Sequence, residues 1–426
     1  MFRQIKLKNG ITLITVPVVG TKATTILAMF PVGSRYETGR LAGASHFVEH
    51  LLFKGTKKRL TALDISRELD AVGANYNAFT SKDCTGYYIK IVDKKQNLAY
   101  NILADMIFNS TLDAEEVKRE KGVIIEEMRM YEDNPTMKID CLLDKIMYQN
   151  NSLGLDIIGT AESIKNITRD ELYNYYRQAY NPRNMILVVA GSVDQKKMKN
   201  IEQEFGLVDD KKTVFNKNNF PKFVWPKAKQ SQEKRLIAEK RKIDQAQVMM
   251  GWPGIRYNDP RHPILAVLLS VLSGGMSSRL FLEVRERRGL AYMIRASHEA
   301  YRDVGNLSIQ AGLDPARLGE AVKVIRQELK KISSEPVSPK ELLDAKNNII
   351  GKLALSMEDS SNQAMYFASS YLFKDKLESV DKKIAKIKKV TAVEVRNLAK
   401  SLFLSDRMCF AIISNLDKKE VLKIIK

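Results

Sequence analysis

The chain has 426 residues, of which 44% are hydrophobic and 28% are charged. This length exceeds one ordinary hydrophobic core, so two or more domains are expected, and apolar residues along the whole chain exclude a disordered protein. The net charge of +19 is compatible with nucleic acid, an anionic membrane or an acidic substrate. Because the lysines are scattered and accompany no nucleic-acid-binding motif, we interpret the excess as a solvated surface and expect no nucleic-acid partner.

The N-terminus and the cysteines both indicate where the protein is located. Apolar and polar residues alternate on both sides of Asn9-Gly10 near the N-terminus, which predicts a β-hairpin rather than a signal peptide. Cys84, Cys141 and Cys409 lie far apart without a CxxC spacing, which argues against disulfides and thiolate zinc sites and indicates a reducing compartment. No apolar run has the length of a membrane span. We therefore expect a cytoplasmic protein, with a cleaved precursor left open.

Hydrophobic periodicity predicts a mixture of strands and long helices in the first half of the chain. This order is not a regular βαβ alternation, so an α+β fold is predicted. The expected strands are residues 11–16, 24–31, 84–92 and 185–191, and the expected helices are residues 44–54, 62–72, 95–109, 113–132, 136–149 and 168–179.

The most informative segment is His46-Phe47-Val48-Glu49-His50 on the first of these helices. Histidines four residues apart share one helix face, and imidazole nitrogens arranged in that way bind Zn²⁺. Glu49 precedes the second histidine directly and is close enough to reach a water on the metal. The order His-x-x-Glu-His is the inverzincin form of a zinc peptidase motif.

A third ligand is expected further along the chain, because a catalytic zinc usually takes three protein ligands. Glu120 and Glu127 lie seven residues apart, on one face of the glutamate-rich helix. Such a pair suits one metal ligand and one carboxylate that holds a histidine N–H. On spacing alone, a solvated acidic helix face is an equally good interpretation.

Three features of the first half recur in the second at a nearly constant offset, which predicts two domains of the same fold. They are an Arg-Tyr pair, a capping-box helix start and the apolar strand that follows it. We place the domains at residues 1–208 and 246–426, with a charged, proline-containing linker and the start of the second half at 209–245. The matching positions are Arg35-Tyr36 with Arg256-Tyr257, Thr168 with Thr391, and residues 185–190 with 408–413.

The segments His46–Thr56 and Glu120–Glu127 resemble the insulinase (pitrilysin) family of zinc peptidases. The resemblance runs through most of both halves and is greatest to the short bacterial and mitochondrial-type members. It implies two homologous α+β domains, each a mostly antiparallel sheet packed with helices, which form a clam around a proteolytic chamber.

The resemblance also implies the roles of the residues in the motif. His46, His50 and Glu127 would bind one Zn²⁺, and Glu120 matches the family's earlier glutamate, beside the ligands. Glu49 would be the general base that takes a proton from the zinc-bound water.

Substrate contacts are implied in both halves. Asn77-Ala78-Phe79-Thr80 is similar to the family's edge strand beside the scissile bond, which nominates Asn77, Ala78 and Thr80 for β-augmentation. Without the resemblance, this segment is an ordinary turn entering a strand.

The second half has no metal motif, so it is expected to bind substrate. Within an expected helix at residues 277–288 and just after it, Arg285 and Tyr292 match an Arg/Tyr pair that reaches the substrate and the oxyanion. Taken alone, Arg285 would be interpreted as part of a solvated basic face.

These features predict a zinc endopeptidase that cleaves peptides or unfolded segments. Because the zinc ligands, the base, the edge strand and the Arg/Tyr pair stand on one chain, a homodimer is favoured over an obligate heterodimer, with a monomer left open. The alternative is a non-catalytic scaffold or assembly subunit of the same fold. Intact Glu49 and metal ligands argue against that alternative.

Overall fold

The computed structural model describes residues 2–193, 195–206, 215–226 and 231–425. The chain divides into two compact units, which we call unit 1 and unit 2 and describe separately. Unit 1 comprises Met1–Arg129, Leu155–Pro221 and Leu355–Leu377, and unit 2 comprises Met130–Gly154, Lys222–Ala354 and Glu378–Lys426. Each unit is therefore assembled from segments of both halves of the sequence.

The strands of unit 1 form a six-stranded sheet in the order β1-β2-β6-β3-β5-β4. Strand β2 runs parallel to β6, and the other neighbours are antiparallel. The hairpin expected at the N-terminus is β1–β2, and β4 lies at an edge of the sheet. The strands are β1 (Arg3–Lys6), β2 (Thr12–Pro17), β3 (Ala23–Phe30), β4 (Asn75–Thr80), β5 (Thr85–Val92) and β6 (Ile186–Gly191).

Unit 2 repeats this arrangement with five strands in the order β7-β11-β8-β10-β9, in which β7 and β11 are parallel. Its sheet matches β2-β6-β3-β5-β4 of unit 1 in both order and direction. The expectation of two α+β domains of the same fold is thus confirmed. The strands are β7 (Leu236–Lys240), β8 (Ala246–Pro253), β9 (Ala291–Ala300), β10 (Gly305–Leu313) and β11 (Cys409–Ser414).

Helices cover the sheets, and every helix expected in the first half is present. A π-helical segment, Phe281–Glu286, lies within the helix expected at residues 277–288. Within the described ranges, no helix combines the length and apolar character needed to cross a bilayer. The helices are α1 (Ala44–Leu51), α2 (Ala62–Asp70), α3 (Gln96–Asn109), α4 (Ala114–Asp133), α5 (Pro135–Met147), α6 (Ala161–Asn166), α7 (Arg169–Ala179), α8 (Gln195–Phe205), α9 (His262–Ser273), α10 (Leu318–Ser334), α11 (Pro339–Ser356), α12 (Ser360–Lys374), α13 (Val380–Lys389), α14 (Ala392–Leu402) and α15 (Lys418–Ile425).

The central strands of the unit 1 sheet are buried on both faces, which explains why β6 and residues 26–30 of β3 are continuous apolar runs. Alternate residues of β3 point to opposite faces. Ile26 and Phe30 belong to the main core with α1, whereas Leu27 and Met29 pack with Phe367 of α12. The second face of this sheet is therefore covered by a helix from the second half of the sequence.

Helix α5 makes the reciprocal contribution to unit 2. Its Leu143 and Met147 pack with Met249 of β8 and Ile413 of β11. The units consequently differ from the contiguous division at residues 1–208 and 246–426. The physical reason is that periodicity identifies an apolar strand face, but it does not identify which helix covers that face.

The expected linker at residues 209–245 is also more structured than its composition indicates. Residues 236–240 form β7, which pairs with β11. Upstream, the Tyr36 hydroxyl donates to the Lys217 carbonyl at 2.9 Å, and the Arg35 guanidinium lies 4.1 Å from the Phe220 ring centroid. Residues 209–214 and 227–230 of this segment lie outside the described residues.

Candidate metal centre

The start of α1 is fixed by a buried carboxylate that precedes it in the sequence. Glu37 accepts hydrogen bonds from the backbone N–H of Gly43 at 2.6 Å and of Ser45 at 2.7 Å, which satisfies donors left open at a helix N-terminus. Gly43 has a φ of +91°, and an added Cβ there would lie 2.6 Å from the Ile158 carbonyl oxygen. Glu37 was not predicted from the sequence, because a capping carboxylate several residues before the start of a helix matches no standard motif.

Both histidines of α1 face away from the buried side of the helix. Phe47 and Val48 are fully buried in the core of unit 1, while the side chains of His46 and His50 are 13% and 23% exposed. The two imidazole centroids lie 4.6 Å apart. The Nδ1 atom of His46 is buried and has no hydrogen-bond partner in the part of the chain that the structure describes. The spacing of four residues thus brings the two rings together, as expected.

Helix α4 brings a carboxylate to the two imidazoles. Its Glu120, Ile124 and Glu127 share one face, and Ile124 is buried in the core. The Oε2 atom of Glu127 lies 3.6 Å from Nε2 of His46 and 3.5 Å from Nε2 of His50. Glu127 and the two histidines each offer a ligand atom, and these atoms all lie within 4.8 Å of one another.

The two distances to Glu127 fit a zinc ion. Zinc holds imidazole nitrogen and carboxylate oxygen about 2.0–2.2 Å away, so tetrahedral ligand atoms are about 3.3–3.6 Å apart. The distances of 3.6 and 3.5 Å from Glu127 Oε2 to the two imidazole nitrogens agree with this range. In the described ranges, His46, His50 and Glu127 form a cluster of metal-ligating side chains whose ligand atoms all lie within 4.8 Å of one another.

Glu120 lies behind His50 and fixes the orientation of its ring. Its side chain is 2% exposed, and Oε2 lies 3.1 Å from Nδ1 of His50. Nζ of Lys54 lies 2.7 Å from the other carboxylate oxygen. Glu120 therefore holds Nδ1 of His50 and turns Nε2 towards Glu127. The contribution of Lys54 had no signal in the sequence apart from its closeness to the histidines.

The pKa values of the two histidines are shifted in opposite directions. Burial, assisted by the neighbouring His50, lowers the pKa of His46 to about 4. Burial acts in the same direction on His50, but hydrogen bonds to Glu120 and Glu127 outweigh it and raise the pKa of His50 to about 9. The hydrogen bond to His50 also lowers the pKa of Glu127. The cluster thus combines a neutral imidazole, a carboxylate and a second imidazole held by two carboxylates.

Glu49 is half-buried on α1 between the two histidines. Burial raises its pKa, and a hydrogen bond from the Thr80 hydroxyl to Glu49 Oε2 opposes that effect. A carboxylate with a raised pKa beside a metal site has the properties of a proton acceptor. Thr80 was expected to contact substrate, whereas its hydroxyl in this structure donates to Glu49.

The other two residues nominated on β4 lie at the open edge of the sheet. Asn77 is exposed, and its Oδ1 accepts the N–H of Ala78 at 2.8 Å. Strand β4 pairs with β5 on one side, and it is the last strand of the sheet order. This edge and the metal cluster both belong to unit 1, and the hydrogen bond from Thr80 to Glu49 connects them.

Arg285 and Tyr292 lie in unit 2, where the structure brings their side chains together. The guanidinium carbon of Arg285 lies 5.1 Å from the centroid of the Tyr292 ring, and Tyr292 is 76% exposed. The segment that carries Arg285 lies within the helix expected at residues 277–288, and its hydrogen bonding at Phe281–Glu286 is π-helical. The backbone here forms bonds five residues apart, such as Arg287 N–H to the Leu282 carbonyl at 2.9 Å.

Comparison with known proteins assigns both halves of the chain to one family. Residues 18–161 match the model described as insulinase (peptidase family M16), and residues 166–349 match the model described as the peptidase M16 inactive domain.

Curated relatives extend over nearly the full length. The chain is 34% identical over 406 residues to the uncharacterised zinc protease YmxG of Bacillus subtilis, covering 95% of this chain and 97% of the relative. It is also 34% identical over 426 residues to an uncharacterised zinc protease of Streptomyces coelicolor, covering 98% and 90%.

Solved structures share the fold at lower identity. A protease from Helicobacter pylori matches with a TM-score of 0.87 and 22% identity, covering 97% of this chain and 99% of that one. A peptidase M16 inactive domain from Pseudomonas fluorescens matches with a TM-score of 0.87 and 19% identity, covering 98% of each.

Proposed function

This chain belongs to the insulinase family of peptidases (M16), and on that premise we propose that it is a zinc-dependent endopeptidase acting on peptides or unfolded segments. The observation that carries the proposal is the convergence of His46, His50 and Glu127, with Glu49 beside them. The names of the relatives support zinc as the metal.

In this proposal, His46, His50 and Glu127 would hold one zinc ion, and Glu120 orients His50. A zinc ion held there would supply Lewis acidity, which lowers the pKa of a bound water and polarises a carbonyl. Glu49 accepts the proton of the attacking water and passes it to the leaving amine, a role that its raised pKa supports.

Strand β4 binds the substrate in an extended conformation by β-augmentation, using its open edge at Asn77 and Ala78. Asn77 would release the Ala78 N–H when a peptide carbonyl replaces its own amide oxygen. The Thr80 hydroxyl holds Glu49 while the neighbouring backbone contacts the peptide.

Arg285 and Tyr292 donate hydrogen bonds to the substrate and to the negative charge that develops on the attacked carbonyl oxygen. The family resemblance is the ground for proposing this role, together with a chamber that encloses the substrate. Enclosure of that kind would restrict substrates to short or unfolded chains.

The decisive test is Glu49→Gln in the full-length protein. Because Glu49 is not a ligand, we expect about one zinc per chain in both wild type and variant, measured by metal analysis. Cleavage of an unstructured fluorogenic peptide should fall by at least about 10²- to 10⁴-fold, since the proton acceptor is lost. Full activity of Glu49→Gln, or wild type with bound zinc and no cleavage of a peptide library, would contradict the proposal.

The alternative function is a non-catalytic assembly subunit, and the match of residues 166–349 to an inactive-domain model is compatible with it. That model covers the half without the metal cluster, while His46, Glu49, His50 and Glu127 are intact. We therefore favour catalysis and propose a homodimer as the functional form, which sedimentation equilibrium would test.

A further inference from the structure

Arg285 differs from its neighbouring arginines in its contacts. Arg287 and Arg288 both pair with the carboxylate of Glu283. No carboxylate in the described part of the chain forms such a pair with Arg285. Its N–H donors are therefore available for a substrate, and its position depends on contacts other than ion pairs.

Two aromatic rings provide these contacts. The guanidinium carbon of Arg285 lies 4.8 Å from the centroid of the Phe281 ring and 5.1 Å from that of Tyr292. Both distances are within the range of a cation–π interaction. Phe281 precedes Arg285 by four residues on the π-helical segment, whereas Tyr292 lies on β9.

The wide π-turn and the reversal after it bring these three side chains together. Gly289 follows the π-helical segment with a φ of +57°, a conformation that glycine adopts without strain. Its N–H bonds to the Arg285 carbonyl at 2.9 Å, and β9 begins two residues later at Ala291. π-Turns are frequent at functional sites, where they place a side chain that a regular helix would direct elsewhere.

We propose that Phe281 is a positioning residue for substrate binding, whose ring holds the Arg285 guanidinium beside the Tyr292 phenol. The inference rests on the proposed function, in which Arg285 and Tyr292 act on the substrate. A phenylalanine donates no hydrogen bond, so its effect on catalysis passes through Arg285. The ring restricts the guanidinium to one region without using its donors, which an acidic partner would occupy.

The test is a double-mutant cycle with Phe281→Leu and Arg285→Ala, using kcat and KM for an unstructured fluorogenic peptide. We expect Phe281→Leu to lower kcat/KM about three- to tenfold when Arg285 is present, the range that a cation–π contact supports. In the Arg285→Ala background the same change should have no further effect. Phe281→Tyr retains the ring and should restore most of the activity.

Arg287→Ala is the matched charge control, because it removes a cation of the same segment that is already paired with Glu283. Its effect should add to that of Phe281→Leu. Zinc content should stay near one per chain in every variant, since the proposed ligands lie in unit 1. If Phe281→Leu does not fold, Phe281→Met serves in the same cycle.

An equal loss from Phe281→Leu with and without Arg285 would overturn the inference and leave the peptidase proposal intact. A wild-type protein that binds zinc and cleaves no peptide would overturn both. Loss of zinc in Phe281→Leu would also contradict a role confined to Arg285.

Discussion

At the scale of single residues, the buried carboxylate of Glu120 shows how the cluster is held together. Its side chain is 2% exposed and contacts His50 on one oxygen and Lys54 on the other. The Lys54 ammonium and the N–H of the His50 ring compensate for the burial of this charge, which would otherwise be costly. Because Nδ1 of His50 is held by Glu120, Nε2 is the nitrogen directed at Glu127.

We expect Glu120→Gln to weaken zinc binding about 10- to 100-fold, the usual consequence of losing a carboxylate behind a metal-binding histidine. Competition with a chromogenic chelator at fixed pH measures the change. Glu126→Gln is the control, because Glu126 lies on the same helix but its side chain is 68% exposed and pairs with Arg129. Equal zinc affinity in wild type and Glu120→Gln would show that His50 needs no such support.

The histidines and Glu49 could be predicted from the local spacing alone, because a helix converts a spacing of four residues into one shared face. Glu127 required the family resemblance, since spacing alone left a solvated acidic face as an equal interpretation. Glu37 and Lys54 were not predicted. Their roles depend on hydrogen bonds between elements, and such pairs leave no periodic pattern in the sequence.

At the scale of elements, the repeated motif near Gly33 and Gly254 marks a close approach of two backbone segments. A Cβ added to Gly33 would lie 2.1 Å from the Ser81 carbonyl oxygen, and one added to Gly254 would lie 2.7 Å from the backbone of Asn306. Ser34 N–H also bonds to the Ser81 carbonyl at 3.1 Å. The loop that follows β4 is thereby locked next to the chain that leads to α1.

Gly33→Ala should therefore displace the loop after β4 and lower the free energy of unfolding by about 1–3 kcal/mol, as overpacking usually does. Because Thr80 directly precedes Ser81, we also expect reduced peptide cleavage with zinc content unchanged. Denaturant unfolding and metal analysis measure the two effects.

Gly122→Ala in α4 is the matched control for the same chemical change. Nothing lies within 4 Å of an added Cβ at Gly122, which is in the middle of a helix. Alanine should therefore raise the unfolding free energy by about 0.5–1 kcal/mol. If both variants were destabilised equally, the close approach at Gly33 would not be the cause.

The regular elements of the first half were predictable because their apolar residues follow periods of 2 or 3.6 over long segments. The π-helical segment was not predictable in this way, since its hydrogen-bond spacing leaves no distinctive pattern of residue types. Strand β7 was hidden in a charged segment, because an edge strand with partly exposed residues does not need a continuous apolar run.

At the scale of the whole molecule, the exchange of α5 and α12 makes each unit depend on the other half of the sequence. Phe367 and Leu372 of α12 are buried against the sheet of unit 1. Each such side chain contributes about 1.5–3 kcal/mol by leaving water. The sequence repeat correctly predicted two similar folds. The exchange of α5 and α12 between the units was not predictable, because it leaves the local hydrophobic pattern of each half unchanged.

Residues 1–226 produced alone should consequently expose the apolar face around Leu27 and Met29 and aggregate. Co-expression with residues 227–426 should yield a soluble complex that retains zinc, because α5 and α12 are then both available. Size-exclusion chromatography with metal analysis compares the two samples. A monodisperse fragment 1–226 with native zinc affinity would contradict the dependence on α12.

The exchange of α5 and α12 also determines when the unit 1 sheet can be completed during synthesis on the ribosome. The half that carries the metal-ligating cluster emerges first, yet α12, which covers the second face of the unit 1 sheet, is complete only about 180 residues after β6. At translation rates of about 5–20 residues per second, this apolar face of the sheet stays uncovered for roughly 10–40 s until α12 is synthesised. Val188 and Met29 are exposed to solvent or to a chaperone during this interval, so the nascent chain is most prone to misassociation just before α12 appears.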